Sequence, residues 1–326
     1  MSYNKDLTVV VDDSFIQCSM AKGEIITDNG CKPQADLIKS LKKYFDPEQV
    51  AFLTPESVLG KSKSYELSNG GFKQQEGLQD DLETNLFLIF SVNSRTPKFS
   101  YDYLAQQYAA YENFRNQVGK FLNPLHAKKM IDKKYLDELL PEKDVFPKLY
   151  QIDGWDDLQE IVQDTPVVLK HRTGAEGEQV YKVNNHNLPE TQAIIGGTLE
   201  QYVAQELIEA DYEKRLIIFG DQVVGGRIIR QRSHPWEDNS KIKKGYSKKP
   251  YVPTKEERDL AVELHKAADM YYSAVDFLGN EREQKILEIN GICPGLVSRN
   301  ENGTVYSLNQ RFAEYLYNLK CQKQQS

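Results

Sequence analysis

Short apolar runs of strand length recur through the first third of the chain and alternate with segments whose apolar residues fall at helical spacing. Leu7–Val11 (LTVVV) is such a run, closed by Asp12-Asp13. An unbroken apolar strand suits the interior of a parallel sheet covered on both faces. A helix is predicted over Pro33–Tyr44, with Leu37, Ile38 and Leu41 on one face, and strands over Gln49–Leu53 and Asn85–Val92. Between these strands Gly60–Gln79, rich in Gly, Ser, Lys and Gln, is expected to be an exposed loop. Asn93–Phe99, containing Arg95 and Pro97, lies where α/β sheets place ligand groups beyond a strand's carboxyl end. A helix over Tyr101–Val118 follows, its tyrosines expected in core and rim.

The pattern changes after Phe121–Leu140, which is predicted as a strand end, a turn at Asn123-Pro124 and a helix. A short strand at Val145–Ile152 and a helix at Trp155–Val162 lead to the strand Pro166–Lys170, the loop His171–Glu178 and the strand Val180–Val183. Strand, loop, strand is the order of a hairpin flap, not of a Walker or Rossmann phosphate motif. Its backbone N–H groups could fold over phosphates, with Lys170 beneath; an ordinary hairpin turn is the alternative. Leu199–Ile208 is predicted as a strand with a polar connector after it, and Lys214–Phe219 and Gln222–Arg230 as a hairpin around Gly220-Asp221. Thr254 and Glu257 form a capping box at the start of a helix over Lys255–Tyr272. A final helix is expected at Leu308–Leu319.

The richest chemistry lies in the second predicted hairpin, Tyr272–Leu278 and Lys285–Ile289, joined by the polar turn Gly279–Gln284. Strand side chains alternate, so Glu288 and Asn290 share a face that Asp276 on the partner strand can also occupy. Two carboxylates and an amide oxygen make a hard donor set of the kind Mg²⁺ takes when phosphates complete its shell. Surface charges on a half-exposed hairpin would give the same pattern.

Composition narrows these readings. The 326 residues suffice for two or three lobes, and 40% hydrophobic with 27% charged residues is that of a globular protein. A net charge of -7 argues against a nucleic-acid partner held by phosphate neutralisation. No apolar run approaches a membrane span and no secretory signal is seen, so neither a membrane nor export is expected. The four cysteines (Cys18, Cys31, Cys293, Cys321) include no CxxC pair, which fits a reducing cytoplasm and disfavours zinc. No Ser-His-Asp or Cys-His arrangement is evident. Within this acidic chain, Arg227, Arg230, Arg232, Lys243 and Lys244 cluster, as a surface charge run or a local anion site.

Taken in order, Asn123–Leu140, PVVLKHRTGAEGEQVYKV, QELIEADYEKRLIIFGDQVVGGRIIR and AVDFLGN…ILEINGICPG resemble the ATP-grasp superfamily. Within it the chain is most similar to glutathione synthetases and to ligases adding glutamate to a ribosomal protein tail. The resemblance covers about Asn85 to Leu296. It implies an α/β fold with an α+β C-terminal part, a parallel-sheet N-terminal lobe (1–122), and two antiparallel-sheet lobes (123–204 and 205–326) clamping ATP. It implies phosphate contacts from Lys133 and Lys170 beneath Gly174 and Gly177, and an adenine hinge at Gln205, Glu206, Leu207 and Ile208. Asp211 or Lys214 would face the ribose and adenine edge. Mg²⁺, with Mn²⁺ as a substitute, would sit on Asp276, Glu288 and Asn290, and Arg230 with Lys170 would face the transferring phosphoryl group. Arg95, Arg227 and Arg299 would contact substrate.

The implied reaction joins a carboxylate to an amine through an acyl phosphate, on an amino acid or short peptide; a protein or ribosomal-peptide acceptor and a non-catalytic ATP-binding scaffold are the alternatives. A homo-oligomer is left open. The sequence departs from glutathione synthetases at Gln231–Lys249, which is basic and polar in place of a glycine-rich loop. It departs again at GICPGL after Asn290, and at Glu176, Glu178 and Gln179 in the flap.

Overall fold

The computed structural model describes residues 3–11, 13–25, 32–60, 63–68, 71–76, 82–90, 109, 118–123, 132–173, 179–230, 236–237, 241–242, 247–280, 283–291, 296–299 and 305–323. The expected helix at Tyr101–Val118, the Arg95 loop and the flap glycines Gly174 and Gly177 therefore lie outside the described residues.

Three sheets follow one another along the chain. The first contains β1 (Tyr3–Val10), β2 (Val50–Leu53), β3 (Lys63–Leu67), β4 (Phe72–Glu76), β5 (Leu82–Ile89) and β6 (Val118–Leu122), in the order β4-β3-β2-β1-β5-β6. β1, β2, β5 and β6 run parallel, the first three as their apolar runs predict, and Leu7, Val9, Phe52, Leu86 and Leu88 are fully buried. Helices α1 (Asp13–Lys22) and α2 (Lys32–Leu41) belong to this lobe, with α3 (Pro55–Gly60) after β2. The loop expected over Gly60–Gln79 is instead the antiparallel hairpin β3–β4. Its alternation is hidden because polar groups hold it. Buried Lys5 donates to Glu66 Oε1 (2.6 Å) and to the Glu48 carbonyl (2.6 Å), and Gln75 donates to Glu66 Oε2 (2.8 Å).

The second sheet holds β7 (Leu149–Tyr150), β8 (Val167–His171), β9 (Val180–Val183) and β10 (Tyr202–Glu206) in the order β7-β10-β8-β9. Helices α4 (Trp155–Asp164) and α5 (Leu188–Ile195) accompany it; Leu158, Val162, Leu188 and Ile195 join the apolar core beneath its strands. The third contains β11 (Tyr212–Phe219), β12 (Gln222–Arg230), β15 (Ser247–Pro250), β16 (Tyr272–Gly279) and β17 (Gln284–Asn290), ordered β15-β12-β11-β16-β17, while the short β13 (Trp236–Glu237) and β14 (Lys241–Ile242) pair with each other. Both hairpins legible in the sequence, β11–β12 and β16–β17, form as antiparallel pairs.

One face of this third sheet packs on α6 (Lys255–Ala267), through Leu216, Ile218, Val275, Phe277 and Ile286 against Ala261 and Leu264. Leu136, Leu140 and Phe146 pack there too, so the segment after Asp132 lies on this sheet although the sequence groups it with the second. The opposite face is covered at one end by the N-terminal lobe and α7 (Asn309–Lys323), through Ile217, Phe219, Tyr272, Phe312 and Leu316. Its other end faces the second sheet.

Asn123, expected in a turn, is a buried joint with a positive φ of 67°. It donates to the carbonyls of Tyr272 (2.9 Å) and Gly291 (2.5 Å) and accepts from Tyr271 N–H (2.8 Å). The N-terminal lobe is thereby tied to both ends of the β16–β17 hairpin. A Cβ at Gly291 would lie 2.6 Å from Met270 Cε, so a side chain there would push the end of Met270 aside.

Beneath the sheet, His265 on α6 is buried and bonded through Nδ1 to Ser273 Oγ (2.8 Å), and burial holds its pKa at about 4. The unfolded chain takes up this proton near pH 6.5 and the folded protein only near 4, so stability is full above 6.5 and lost on acidification through that window. The loss should reach about 3 kcal/mol. Urea unfolding between pH 7 and 5 should show the first part of it, and His265→Asn should flatten it.

Candidate active site

The open end of the third sheet carries a cross-strand row of charges. Register sets Arg227 on β12 opposite Arg215 on β11, Arg215 opposite Asp276 on β16, and Asp276 opposite Glu288 on β17. Partners in an antiparallel ladder share a face, so all four project to one side. Glu213, two residues before Arg215, and Asn290, two residues after Glu288, flank the row on that face from opposite sides.

Asp276 is wholly buried and bonded twice by Arg215, whose Nε donates to Oδ1 at 2.5 Å while Nη2 donates to Oδ2. Asn290 Nδ2 donates to Asp276 Oδ2 (3.1 Å) and to Glu288 Oε1 (2.9 Å), and Arg215 Nη2 lies 3.8 Å from Glu288. The three donors expected for a metal are thus brought together. Asn290 presents its amide N–H to two carboxylates, and a cation would require the amide turned so that Oδ1 faces inward. Among the described residues no three His, Cys, Asp or Glu side chains form a metal cluster, so a cation there takes further oxygens beyond these side chains.

The second sheet supplies the cations above this row. Lys170, at the end of β8, donates to Gln205 Oε1 on neighbouring β10 (2.5 Å). Lys133 comes from the segment before Leu136; its backbone N–H donates to the Arg172 carbonyl (3.1 Å). Buried Asp132 beside it takes two bonds from Arg172, with Nε to Oδ1 at 3.0 Å. This ion pair fastens the Lys133 segment to the strand end from which the flap departs.

The charges set one another's protonation. Burial lowers Lys133 and Lys170; for Lys170 the repulsion of Lys133 adds to it and Glu288 and Glu213 oppose it, leaving a pKa of about 8. Burial alone would raise Glu288, but Lys133, Arg215 and the Asn290 amide hold it at about 2. Glu213 is raised by burial. Burial and Arg215 together lower Arg227 to about 10. Burial pushes Asp276 upward and the Arg215 guanidinium opposes it; Arg215 itself stands above its ordinary value against burial, through Asp276. Arg227 Nε is buried without a hydrogen-bond partner among the described residues, a donor aimed at the same face.

Other expected residues fall elsewhere. Lys214 is turned to the α6 face, where its ammonium bonds Glu257 (2.6 Å) and Gln284 (2.9 Å) and lies over the Tyr212 and Tyr251 rings. Its expected place at the nucleotide is therefore corrected: alternation puts it with Leu216 and Ile218, and Glu213 and Arg215 stand on the cleft side instead. Asp211 is exposed where the connector meets β11, its N–H bonded to Gly279 O (2.9 Å). Glu206 ends β10 and accepts from Lys148 N–H (3.1 Å), and Leu207 and Ile208 form the extended connector between the two sheets. Arg230 ends β12 opposite Tyr212, and Arg299 ends the short strand Val297–Arg299. Sequence reasoning missed Glu213, Arg215, Asp132 and Arg172. Extending the two-residue period from the β16–β17 hairpin to β11 would have found the first two.

A family model described as the RimK-like ATP-grasp domain matches residues 138–314. A probable alpha-L-glutamate ligase of Coxiella burnetii is 26% identical over 147 residues, 44% of this chain and 48% of that protein. The chain spans about half the length of the curated relatives it matches. Among solved structures, the D-cycloserine synthetase DcsG superposes with a TM-score of 0.66 at 13% identity, over 96% of this chain and 99% of that one. The ATP-grasp ligase PsnB, solved with a phosphomimetic variant of its minimal precursor, Mg and ADP, gives 0.64 at 13% identity over 97% and 99%. At these identities the likeness to the solved structures is one of fold.

Proposed function

The chain belongs to the RimK-like ATP-grasp family, and from that premise we propose that it is an ATP-dependent ligase joining a carboxylate to an amine on an amino acid or short peptide. The observation that carries this is the cross-strand row Arg227–Arg215–Asp276–Glu288 facing Lys133 and Lys170. ATP, when bound, supplies the phosphoryl group that converts the carboxylate to an acyl phosphate from which the amine displaces phosphate. Lys133 and Lys170 would hold phosphate oxygens, and Gly174 and Gly177 keep the role of closing over them that the resemblance implies. The connector Gln205–Ile208 takes the base, and Glu213 replaces Lys214 as the group facing the ribose side.

Asp276, Glu288 and Asn290 fit a hard cation by donor chemistry, Mg²⁺ first and Mn²⁺ as a substitute. They lack enough donors to hold it without phosphate oxygens. Arg227, with its unpartnered Nε, and Arg230 at the end of the same strand meet the anionic reactants. Arg95 and Arg299 are kept as substrate contacts. None of these roles requires a protein nucleophile; the residues position charge and offset it.

A second reading, a ligase acting on a protein or ribosomal peptide, is favoured by residues 227–249. They carry eight Lys and Arg against two Asp and Glu in a chain of net charge -7. An acidic peptide would complement that stretch. The test of both is phosphate release from ATP on addition of pooled amino acids, dipeptides or acidic peptides, with product masses measured. Release of ADP and phosphate that depends on one pool, with an amide product, is expected. ATP bound without stimulated turnover would leave only a scaffold.

A further inference from the structure

The arginine that the sequence reading passed over occupies the best-made contact in the cleft. Arg215 bonds both oxygens of Asp276, in the fork geometry that matches a guanidinium to a carboxylate. It reaches to within 3.8 Å of Glu288 as well. Asp276 has no exposed surface and also accepts from Asn290, so its lone pairs are largely committed. Among the described residues, Arg215, Lys133, Lys170 and Arg227 all stand in electrostatic range of Asp276 or Glu288. A bare dication meets these cations as well as the carboxylates, whereas a triphosphate offsets them and brings further oxygens.

We infer that Arg215 is the internal counter-cation of the carboxylate pair: it occupies Asp276 in the nucleotide-free protein, so a divalent cation enters only together with the nucleotide. Arg215 is in this sense a positioning residue, setting the order in which the site fills. The inference rests on reading Asp276 and Glu288 as the cation site.

Removing the guanidinium changes two things at once. The fork on the two Asp276 oxygens is released, and one positive charge leaves the floor of the cleft. The lost charge sits within hydrogen-bond distance of Asp276, close enough for a tenfold effect on cation affinity. Arg215→Gln should therefore acquire cation affinity that the wild type lacks.

The experiment is an EPR titration of Mn²⁺ into the full chain, with and without ADP. Wild type should leave Mn²⁺ free at millimolar concentration without ADP and bind it with ADP present. Arg215→Gln, checked for folding by circular dichroism, should bind Mn²⁺ at least tenfold tighter than wild type without nucleotide, and adding Asp276→Asn should abolish the gain. Equal Mn²⁺ binding by wild type with and without ADP would overturn the role of Arg215 while leaving the cation site standing, as would a folded Arg215→Gln with no gain. Binding in neither condition would overturn the cation site itself and the inference with it. Where Arg215→Gln does not fold, Arg215→Lys, which cannot fork to both Asp276 oxygens, is titrated in its place, and no gain in Mn²⁺ binding without nucleotide there overturns the role of Arg215.

Discussion

Glu288→Gln is expected to lower turnover by about 10²–10³-fold with the fold retained, the loss seen when one preorganised charge contact to a developing transition state is removed. The substitution keeps the shape of the side chain and a partner for Asn290, and deletes only the charge. That charge is present at every working pH, because Lys133 and Arg215 hold the Glu288 carboxyl at about 2 despite burial. Its loss weakens the cation donor set and leaves Lys133 without its strongest attraction in the cleft. Steady-state phosphate release, with a thermal melt to verify folding, measures it. Turnover within threefold of wild type would remove Glu288 from the site.

Lys170→Met should raise the ATP KM by about 10–100-fold, the value of a charge-assisted hydrogen bond of about 1.5–3 kcal/mol, with the acceptor KM changed less than about twofold. The pH dependence has a definite sign. Burial and the repulsion of Lys133 place Lys170 near 8, so the ammonium that attracts phosphate is lost as pH rises through 8. The wild-type ATP KM should climb above that pH, and the Met variant should show no such step. Initial rates at several ATP concentrations between pH 7 and 9 decide it. A pH step that survives in Lys170→Met belongs to another group.

What the sequence disclosed and what it hid follow from the same two-residue period. β1, β2 and β5 announce themselves because strands buried on both faces are apolar throughout. The β16–β17 hairpin is legible because its polar turn separates two runs, and Glu288 and Asn290 then fall on one face without further assumption. The β3–β4 hairpin was hidden because its few core residues, Tyr65, Leu67 and Phe72, stand among polar ones such as Glu66 and Gln75 that bond Lys5 and each other.

Lys214 illustrates the opposite hazard. A lysine in a strand beside an expected nucleotide invites a binding role, yet its neighbours Leu216 and Ile218 share its face and pack on α6. Its charge is satisfied there by Glu257, which also closes the helix-capping box with Thr254. Arg215 could not be weighed without the register that sets it opposite Asp276. Asp132 and Arg172 are 40 residues apart, and only the folded chain brings them together to fix Lys133.

The central claim is that the charged floor of the cleft steadies a phosphoryl group as it passes from ATP to a carboxylate oxygen. Turnover of a carboxyl-¹⁸O-labelled substrate, with the released phosphate analysed by mass, tests this directly. One labelled oxygen in each phosphate is the result expected for activation through an acyl phosphate. Unlabelled phosphate formed alongside ADP and amide product would contradict it.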